Sequence, residues 1–170
     1  FFERVEEGII LEDDCVPHPD FFLYCTKLLN LYRHDKRIWC ISGNNFEDIP
    51  QENCSDYSFS SIPMIWGWAT WKSRWASYDV EMLSWPAFKE MNLLCSVFSD
   101  RVMRRYWCGI WDSIYYRGVP DTWDYQWVFA CISNGGLSIL PAQNLISNVG
   151  FGEDATHTVK SKPSRKALGI

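Results

Sequence analysis

The chain alternates between short apolar runs, which are typical of strands, and stretches with an apolar residue every three or four positions, which are typical of helices. Residues 8–11 (Gly-Ile-Ile-Leu) predict a buried strand, and helical spacing then extends from Phe21 to Tyr32. More strands are predicted at 37–43, 57–60, 137–140 and 144–147, and more helices at 99–118 and 123–134. This alternation predicts an α/β sheet domain.

The sequence also predicts how the two later helices begin and which face the longer one buries. Ser99 and Asp100 are expected to start the longer helix. For the shorter one, Asp121 is expected as N-cap and Asp124 three residues later, close to a capping box. The expected apolar stripe of the longer helix consists of Val102, Tyr106, Ile110 and Ile114, with Met103, Trp107 and Trp111 beside it.

Composition and charge exclude some of the functions that this protein could have. Hydrophobic residues make up 47% of the 170 positions and charged residues 22%, which is typical of a globular domain. The formal net charge of -5 argues against a nucleic-acid partner, which would need a clustered basic face. Ten tryptophans are more than a core of this size needs, so some of them are expected to line a ligand site.

The seven cysteines lie far apart and form no C-x-x-C pair, which argues against a structural zinc site. Their odd number within apolar segments predicts buried free thiols in a reducing compartment. The longest apolar stretch, 64–71, is too short to cross a bilayer. We therefore expect a cytoplasmic protein, either free or at the membrane surface.

Three adjacent acids, Glu12, Asp13 and Asp14, follow the first predicted strand. The carboxyl end of a strand is where open α/β sheets place their ligand crevice. Mg2+ and Mn2+ bind carboxylate oxygens, typically one or two of them together with substrate phosphates. The acids therefore predict a metal-phosphate site, and the alternative is a solvated turn in which Asp14 opens the loop at 15–17.

Aromatic residues supply a second candidate segment, 66–71 (Trp-Gly-Trp-Ala-Thr-Trp). Indole faces stack on the C–H faces of sugars, and Gly67 between Trp66 and Trp68 would let a ligand approach the backbone. Trp71 and Trp75 are expected to close the hydrophobic core instead.

Two further segments offer chemistry, each with a plain structural alternative. Asp124, beside Trp123 and Trp127, is a candidate general base, and the capping box above would equally explain it. His157, in the glycine-containing loop 148–158, is a candidate metal ligand or pyrophosphate donor, although a lone loop histidine is more often neither. The basic tail 159–170 is either a solvated end or a cover for phosphates.

Together these segments resemble the second half of the GT-A fold nucleotide-sugar glycosyltransferases. The matching motifs are Leu-Glu-Asp-Asp-Cys-x-Pro-x-Pro-x-Phe-Phe at 11–22, the tryptophan block at 66–71, Thr-Trp-Asp-Tyr-Gln-Trp at 122–127, and Asn-x-Gly-Phe-Gly-x-Asp-Ala-Thr-His-Thr at 148–158. The resemblance runs from 5 to 158. It is nearest to bacterial proteins described as glycosyltransferase family 2-like or hemolytic-protein-like, and the acidic triplet is similar to that of the N-acetylglucosaminyltransferase I type.

The resemblance implies a GT-A fold, with a mixed central sheet flanked by helices. Residues 1–158 would form the C-terminal portion of one such domain, followed by the tail 159–170, and the upstream strands that bind the nucleotide base would be missing from the sequence. It also implies roles for individual residues, all named here by their numbers in this chain. The implied roles are Mn2+ or Mg2+ binding by Asp14 and His157, donor contacts from Glu12, Asp13, Trp66, Gly67, Trp68 and Trp123, and a general base in Asp124.

The implied activity is metal-dependent transfer of a sugar from a UDP- or GDP-sugar donor to a hydroxyl of a saccharide or glycan acceptor, with inversion at the sugar carbon. A non-catalytic carbohydrate-binding module is the main alternative, because it would keep the tryptophans and have no use for the acids. A metal-dependent phosphoester hydrolase would keep the acids, but it usually needs a second cluster of His and Asp, and the chain has three histidines.

Overall fold

The computed structural model describes residues 1–46 and 55–150. Within these ranges the strands are β1 (Glu7–Ile10), β2 (Cys15–Pro17), β3 (Ile38–Ser42), β4 (Tyr57–Ser60), β5 (Trp68–Trp71), β6 (Leu137–Pro141) and β7 (Ile146–Asn148). The helices are α1 (Asp20–Tyr32), α2 (Lys72–Trp75), α3 (Trp85–Glu90), α4 (Leu94–Val97), α5 (Arg101–Arg117) and α6 (Asp124–Ser133). Most of the expected loop at 44–56, His157 and the basic tail 159–170 lie outside the described residues.

Five strands form one mixed sheet in the order β1-β5-β3-β6-β4. β3 and β6 are parallel, and the other neighbouring strands are antiparallel. β2 and β7 form a separate antiparallel pair. The predicted α/β class is confirmed, and the sheet is mixed as expected.

Helices cover both faces of the five-stranded sheet. On one face, α1 buries Phe21, Cys25 and Leu28 in the same core cluster as Ile41 and Ala69. On the other face, α6 packs against β3 and β5, with a cluster of Trp39, Cys40, Trp68, Trp127, Ala130 and Cys131. The helices α3 and α5 cover the outer side of α6, so that α6 is buried from Gln126 to Ile132.

The first strand is confirmed, but the prediction that it is buried is wrong. β1 is at the edge of the sheet, and all four of its residues are half-buried. Leu11, the last residue of the apolar run, is 36% exposed. Among the described residues β1 has one neighbouring strand, β5, so its other edge is not covered by a ladder.

α5 begins and ends where the sequence predicted, and the predicted apolar stripe is confirmed in part, since Ile114 is buried. The Asp100 carboxylate accepts hydrogen bonds from the backbone N–H groups of Val102 and Met103, at 2.9 and 3.4 Å. Gly118 ends the helix in the left-handed conformation, with φ of 66°. The predicted stripe is wrong at Val102, which is 72% exposed, and at Tyr106, which is 50% exposed. The neighbouring stripe with Trp107 and Trp111 is buried instead, because two indoles remove more apolar surface from water.

The capping box expected at the start of α6 does not form. Trp123 is the N-cap residue and Asp124 is the first residue of the helix. Asp121 lies outside the helix and is exposed. The structural alternative that would have explained both acids is therefore removed.

Six cysteines are described, and all six are free thiols, as predicted. Cys15, Cys25, Cys40 and Cys131 are buried, whereas the prediction of burial is wrong for the exposed Cys95. In the described ranges, no helix combines the length and the apolar character needed to cross a membrane.

Candidate functional site

A cleft of about 590 Å³ opens beside the acidic segment that follows β1. It brings together segments that are far apart in the sequence. Of the predicted site residues, Glu12, Asp14, Trp66, Trp123 and Asp124 line it. Its other lining residues are Ile65, Pro120, Asp121, Thr122, Tyr125, Asn148 and Gly150.

The acidic triplet forms a tight connection between β1 and β2. The backbone N–H of Cys15 donates to the carbonyl of Glu12 at 3.1 Å, which closes a turn over the three acids. Glu12 and Asp14 are half-buried and line the cleft, whereas Asp13 is exposed and does not line it. Asp13 therefore lies apart from Glu12 and Asp14, the two other acids predicted to contact the sugar donor or the metal.

Pairing between β2 and β7 fixes Asp14. Cys15 pairs with Asn148, and the backbone N–H of Val149 donates to the Asp14 carbonyl at 2.9 Å. The Asn148 amide donates to Asp14 Oδ2 at 3.2 Å, and the Cys15 thiol donates to Asp14 Oδ1 at 3.6 Å. A Cβ atom at Gly150 would lie 2.3 Å from Asp14 Oδ2, so this close approach needs a glycine.

Glu12 connects the acidic turn to α6. Its carboxylate accepts a hydrogen bond of 3.2 Å from the indole N–H of Trp123. Burial raises the pKa of Glu12, the Trp123 hydrogen bond opposes that rise, and the charges of Asp14, Asp124 and Asp13 add to it. These carboxylates therefore act on one another through space, and together they favour a cation in the cleft.

Asp124 enters the cleft from the first turn of α6 and is half-buried. The hydroxyl of Thr122 donates a hydrogen bond to Asp124 Oδ1, which holds the carboxylate in one orientation. Tyr125 lines the cleft beside it, and burial and a hydrogen bond with Tyr106 raise the pKa of Tyr125 to about 12. Tyr125 therefore stays a neutral hydroxyl group near neutral pH.

The acidic turn offers a donor set for a divalent cation. Glu12, Asp14 and Cys15 each have a potential ligand atom, and these atoms lie within 4.8 Å of one another. Burial, followed by the charge of Asp14, raises the pKa of Cys15 to about 12, and in the metal-free protein the thiol donates a hydrogen bond to Asp14. The two carboxylates of this set suit Mg2+ or Mn2+ with open positions for phosphate oxygens and water.

Two of the three tryptophans predicted to contact a donor line the cleft. Trp66 lies at one wall with its ring edge-on to Phe46, at 5.0 Å between centroids. Trp123 lies at another wall and stacks on Trp68 at 5.7 Å. Trp68 itself is 1% exposed and supports Trp123 from behind, so it has almost no surface to offer a ligand in the cleft. Trp71 is buried as predicted, and Trp75 packs in the same aromatic cluster as Trp68.

Gly67 does not line the cleft, and a protein side chain fills the space beside it. Its φ is 62°, and its carbonyl accepts a hydrogen bond of 2.7 Å from the backbone N–H of Gly43. A Cβ atom there would lie 2.5 Å from Ile146 Cδ1 and 3.0 Å from Leu11 Cδ2. Gly67 therefore permits packing between β5 and β7 in addition to any approach of a ligand.

We expect Gly67→Ala to lower the free energy of unfolding by roughly 2–4 kcal/mol, because it combines a left-handed backbone with overpacking against Ile146. Urea unfolding measures the change. Gly109→Ala is the matched control, because it lies inside α5 with no atom within 4 Å of the added carbon. The control should gain up to about 1 kcal/mol from helix propensity. Equal stabilities of the two variants would contradict this role of Gly67.

Several cleft residues received no separate role from the sequence. Thr122, which orients Asp124, and Asn148, which donates to Asp14, are the clearest of them. Asn148 follows directly after a predicted strand, which is a weak signal for a site residue. The hydrogen bond from Thr122 to Asp124 could not be predicted from the sequence, because it depends on where α6 starts.

Comparison with known proteins gives no family assignment: no protein-family model matches the chain, and no curated protein is significantly similar to it. The function is therefore inferred from the residues of the cleft and from the motifs that they form.

Proposed function

We propose that this protein is a metal-dependent glycosyltransferase of the GT-A fold, which moves a sugar from a nucleotide-diphosphate sugar to an acceptor hydroxyl with inversion. One observation supports it most. Four sequence segments that share the resemblance contribute side chains or backbone to a single cleft. The contact between Glu12 and Trp123 spans 111 positions, and that between Asp14 and Asn148 spans 134.

The acidic side of the cleft suits the leaving group. A bound Mn2+ or Mg2+ would neutralise the charge that develops on the nucleoside diphosphate. Asp14 and Glu12 would hold that ion, and Asn148 keeps the Asp14 carboxylate in place. His157, the further metal ligand implied by the resemblance, lies outside the described residues and stays a prediction.

The α6 side of the cleft suits the acceptor. Asp124 takes the proton of the acceptor hydroxyl as the new glycosidic bond forms, and the Thr122 hydroxyl aims the carboxylate. Trp66 and Trp123 provide apolar walls that stack on sugar faces and exclude water from the reacting carbon. Acids on two sides of one cleft fit an inverting displacement, in which the nucleophile enters opposite the leaving group.

Thermal unfolding of the protein with UDP-, GDP- and CMP-sugars, each with and without Mn2+, tests the proposal. One nucleotide class should stabilise the protein only when Mn2+ is present, by about 2.7 kcal/mol at a ligand concentration of 100 times Kd. Stabilisation by free saccharides alone, with no effect of nucleotide or metal, would instead support a carbohydrate-binding module and contradict the proposal.

A further inference from the structure

The solvent-facing side of α5 differs in charge from the chain as a whole. α5 contains four arginines and one acid, whereas the formal net charge of the chain is -5. Successive helical residues are about 100° apart, so the side opposite the buried indoles can be identified from the sequence of α5. That side includes Arg101, Val102, Arg105, Tyr106 and Gly109, all of them exposed and here named the α5 face, and also the half-buried Asp112.

The charges of the α5 face are not compensated within the described part of the chain. The acid of α5, Asp112, is paired with Lys89 Nζ at 2.7 and 2.8 Å. Arg104 donates to two backbone carbonyls just before the helix, at 2.7 and 2.8 Å. Within residues 1–46 and 55–150, Arg101 and Arg105 form no ion pair, and their guanidinium groups donate no hydrogen bond.

The position of these two arginines is unfavourable unless an anion binds there. Arg101 and Arg105 are four residues apart, so they repel each other on one side of the helix. Arg101 also lies in the first turn of α5, where the helix dipole disfavours cations. Both line a groove of about 350 Å³, together with Lys89, Asn92 and Arg104. The groove therefore offers converging cationic groups to a phosphate-bearing partner.

Exposed apolar side chains adjoin the arginines and indicate the kind of partner. Val102 is 72% exposed and Tyr106 is 50% exposed, both on the α5 face. Met91, next to Asn92 of the groove, is 68% exposed. A free phosphate ion gains nothing from such side chains, whereas a lipid surface binds basic groups through its headgroups and apolar groups below them.

We infer that the α5 face and the adjoining groove bind the surface of an anionic lipid membrane. Arg101 and Arg105 contact lipid phosphates, and Val102 enters the interfacial layer. The inference is independent of the proposed sugar transfer.

Sedimentation of the protein with phosphatidylcholine vesicles tests this inference, with and without about 30 mol % phosphatidylglycerol at about 0.1 M salt. Binding should require the anionic lipid and should weaken as salt is added. R101Q/R105Q should bind the anionic vesicles about tenfold more weakly or worse. K27Q/K36Q is the matched control, since it removes two exposed cations from α1 and the segment after it, and it should bind like the unchanged protein.

The V102Q variant distinguishes binding to a membrane from binding to a soluble phosphate compound. It leaves the charge unchanged, and it should weaken vesicle binding because an interfacial side chain is lost. Circular dichroism melting curves confirm that each variant is folded. Equal binding to neutral and anionic vesicles, or equal binding of R101Q/R105Q and K27Q/K36Q, overturns the inference. It is also overturned if inorganic phosphate raises the melting temperature through Arg101 and Arg105 while anionic vesicles do not bind.

Discussion

Replacing Asp14 by asparagine should abolish metal-dependent donor binding while the protein remains folded. The side chain keeps its size, and its amide oxygen can still accept the hydrogen bond from Asn148. The anionic ligand is lost, however, and only Glu12 remains as a carboxylate in the ligand set. Loss of residues that merely orient metal ligands costs about 10–100-fold in affinity, so loss of the ligand itself should cost about 100-fold or more.

Isothermal titration of the variant with the donor and Mn2+ measures that loss. Asp20→Asn, an exposed position in the first turn of α1, is the matched control and should bind normally. Without metal, Asp14→Asn should melt at the same temperature or slightly higher, because repulsion with Glu12 is relieved. Unchanged Mn2+-dependent donor affinity in Asp14→Asn would remove Asp14 from the metal site.

Asp124→Asn should reduce turnover by roughly 10^2 to 10^4-fold and preserve donor binding, because an amide cannot take the acceptor proton. The structural cost should be well under ~1 kcal/mol. Asp124 does not serve as an N-cap, and the Thr122 hydroxyl can donate to the amide oxygen as it donates to the carboxylate. A large loss of rate without loss of stability is thus the expected signature of a base.

Rate, donor affinity and melting temperature should be measured together for Asp124→Asn and Asp121→Asn. Both acids line the cleft, but Asp121 is exposed and lies outside α6. Nearly normal turnover in Asp124→Asn would refute its role as base and make Asp121 the next residue to test. Retention of the anomeric configuration in the product, seen by NMR, would rule out the single-base scheme for either residue.

Periodicity predicted eight of the thirteen elements described above and missed β2, β5, α2, α3 and α4. It missed β5 because both faces of that strand are covered, Ala69 and Trp71 on the side of α1 and Trp68 on the side of α6, so apolar and polar positions do not alternate there. It placed Val102 and Tyr106 on the buried face of α5, where they do not lie, because two adjacent apolar stripes fit the same period. Only packing against α6 decides between them, and the sequence does not contain that packing directly.

The sequence predicted the types of residue in the candidate site better than it predicted their arrangement. Acids after a strand and tryptophans near a second acid were visible in the sequence, and the structure brings Glu12, Asp14, Trp66, Trp123 and Asp124 to one cleft. The burial of Trp68 could not be foreseen, since it depends on stacking with Trp123 and on α6 covering that face of the sheet. Expectations that rest on the resemblance, including sugar transfer and the role of His157, remain to be tested.

The part of the cleft that the β2–β7 pair holds together should open independently of the five-stranded sheet. The pair has three residue pairs and, among residues 1–46 and 55–150, no other strand beside it, and a strand pair of this size is marginal in water. Asp14 is positioned through this pair, so its transient opening would dismantle the acidic turn while the five-stranded sheet stayed closed. Amide hydrogens such as that of Val149 should then exchange faster than those of β3, and a ligand that binds only the closed form should slow their exchange selectively.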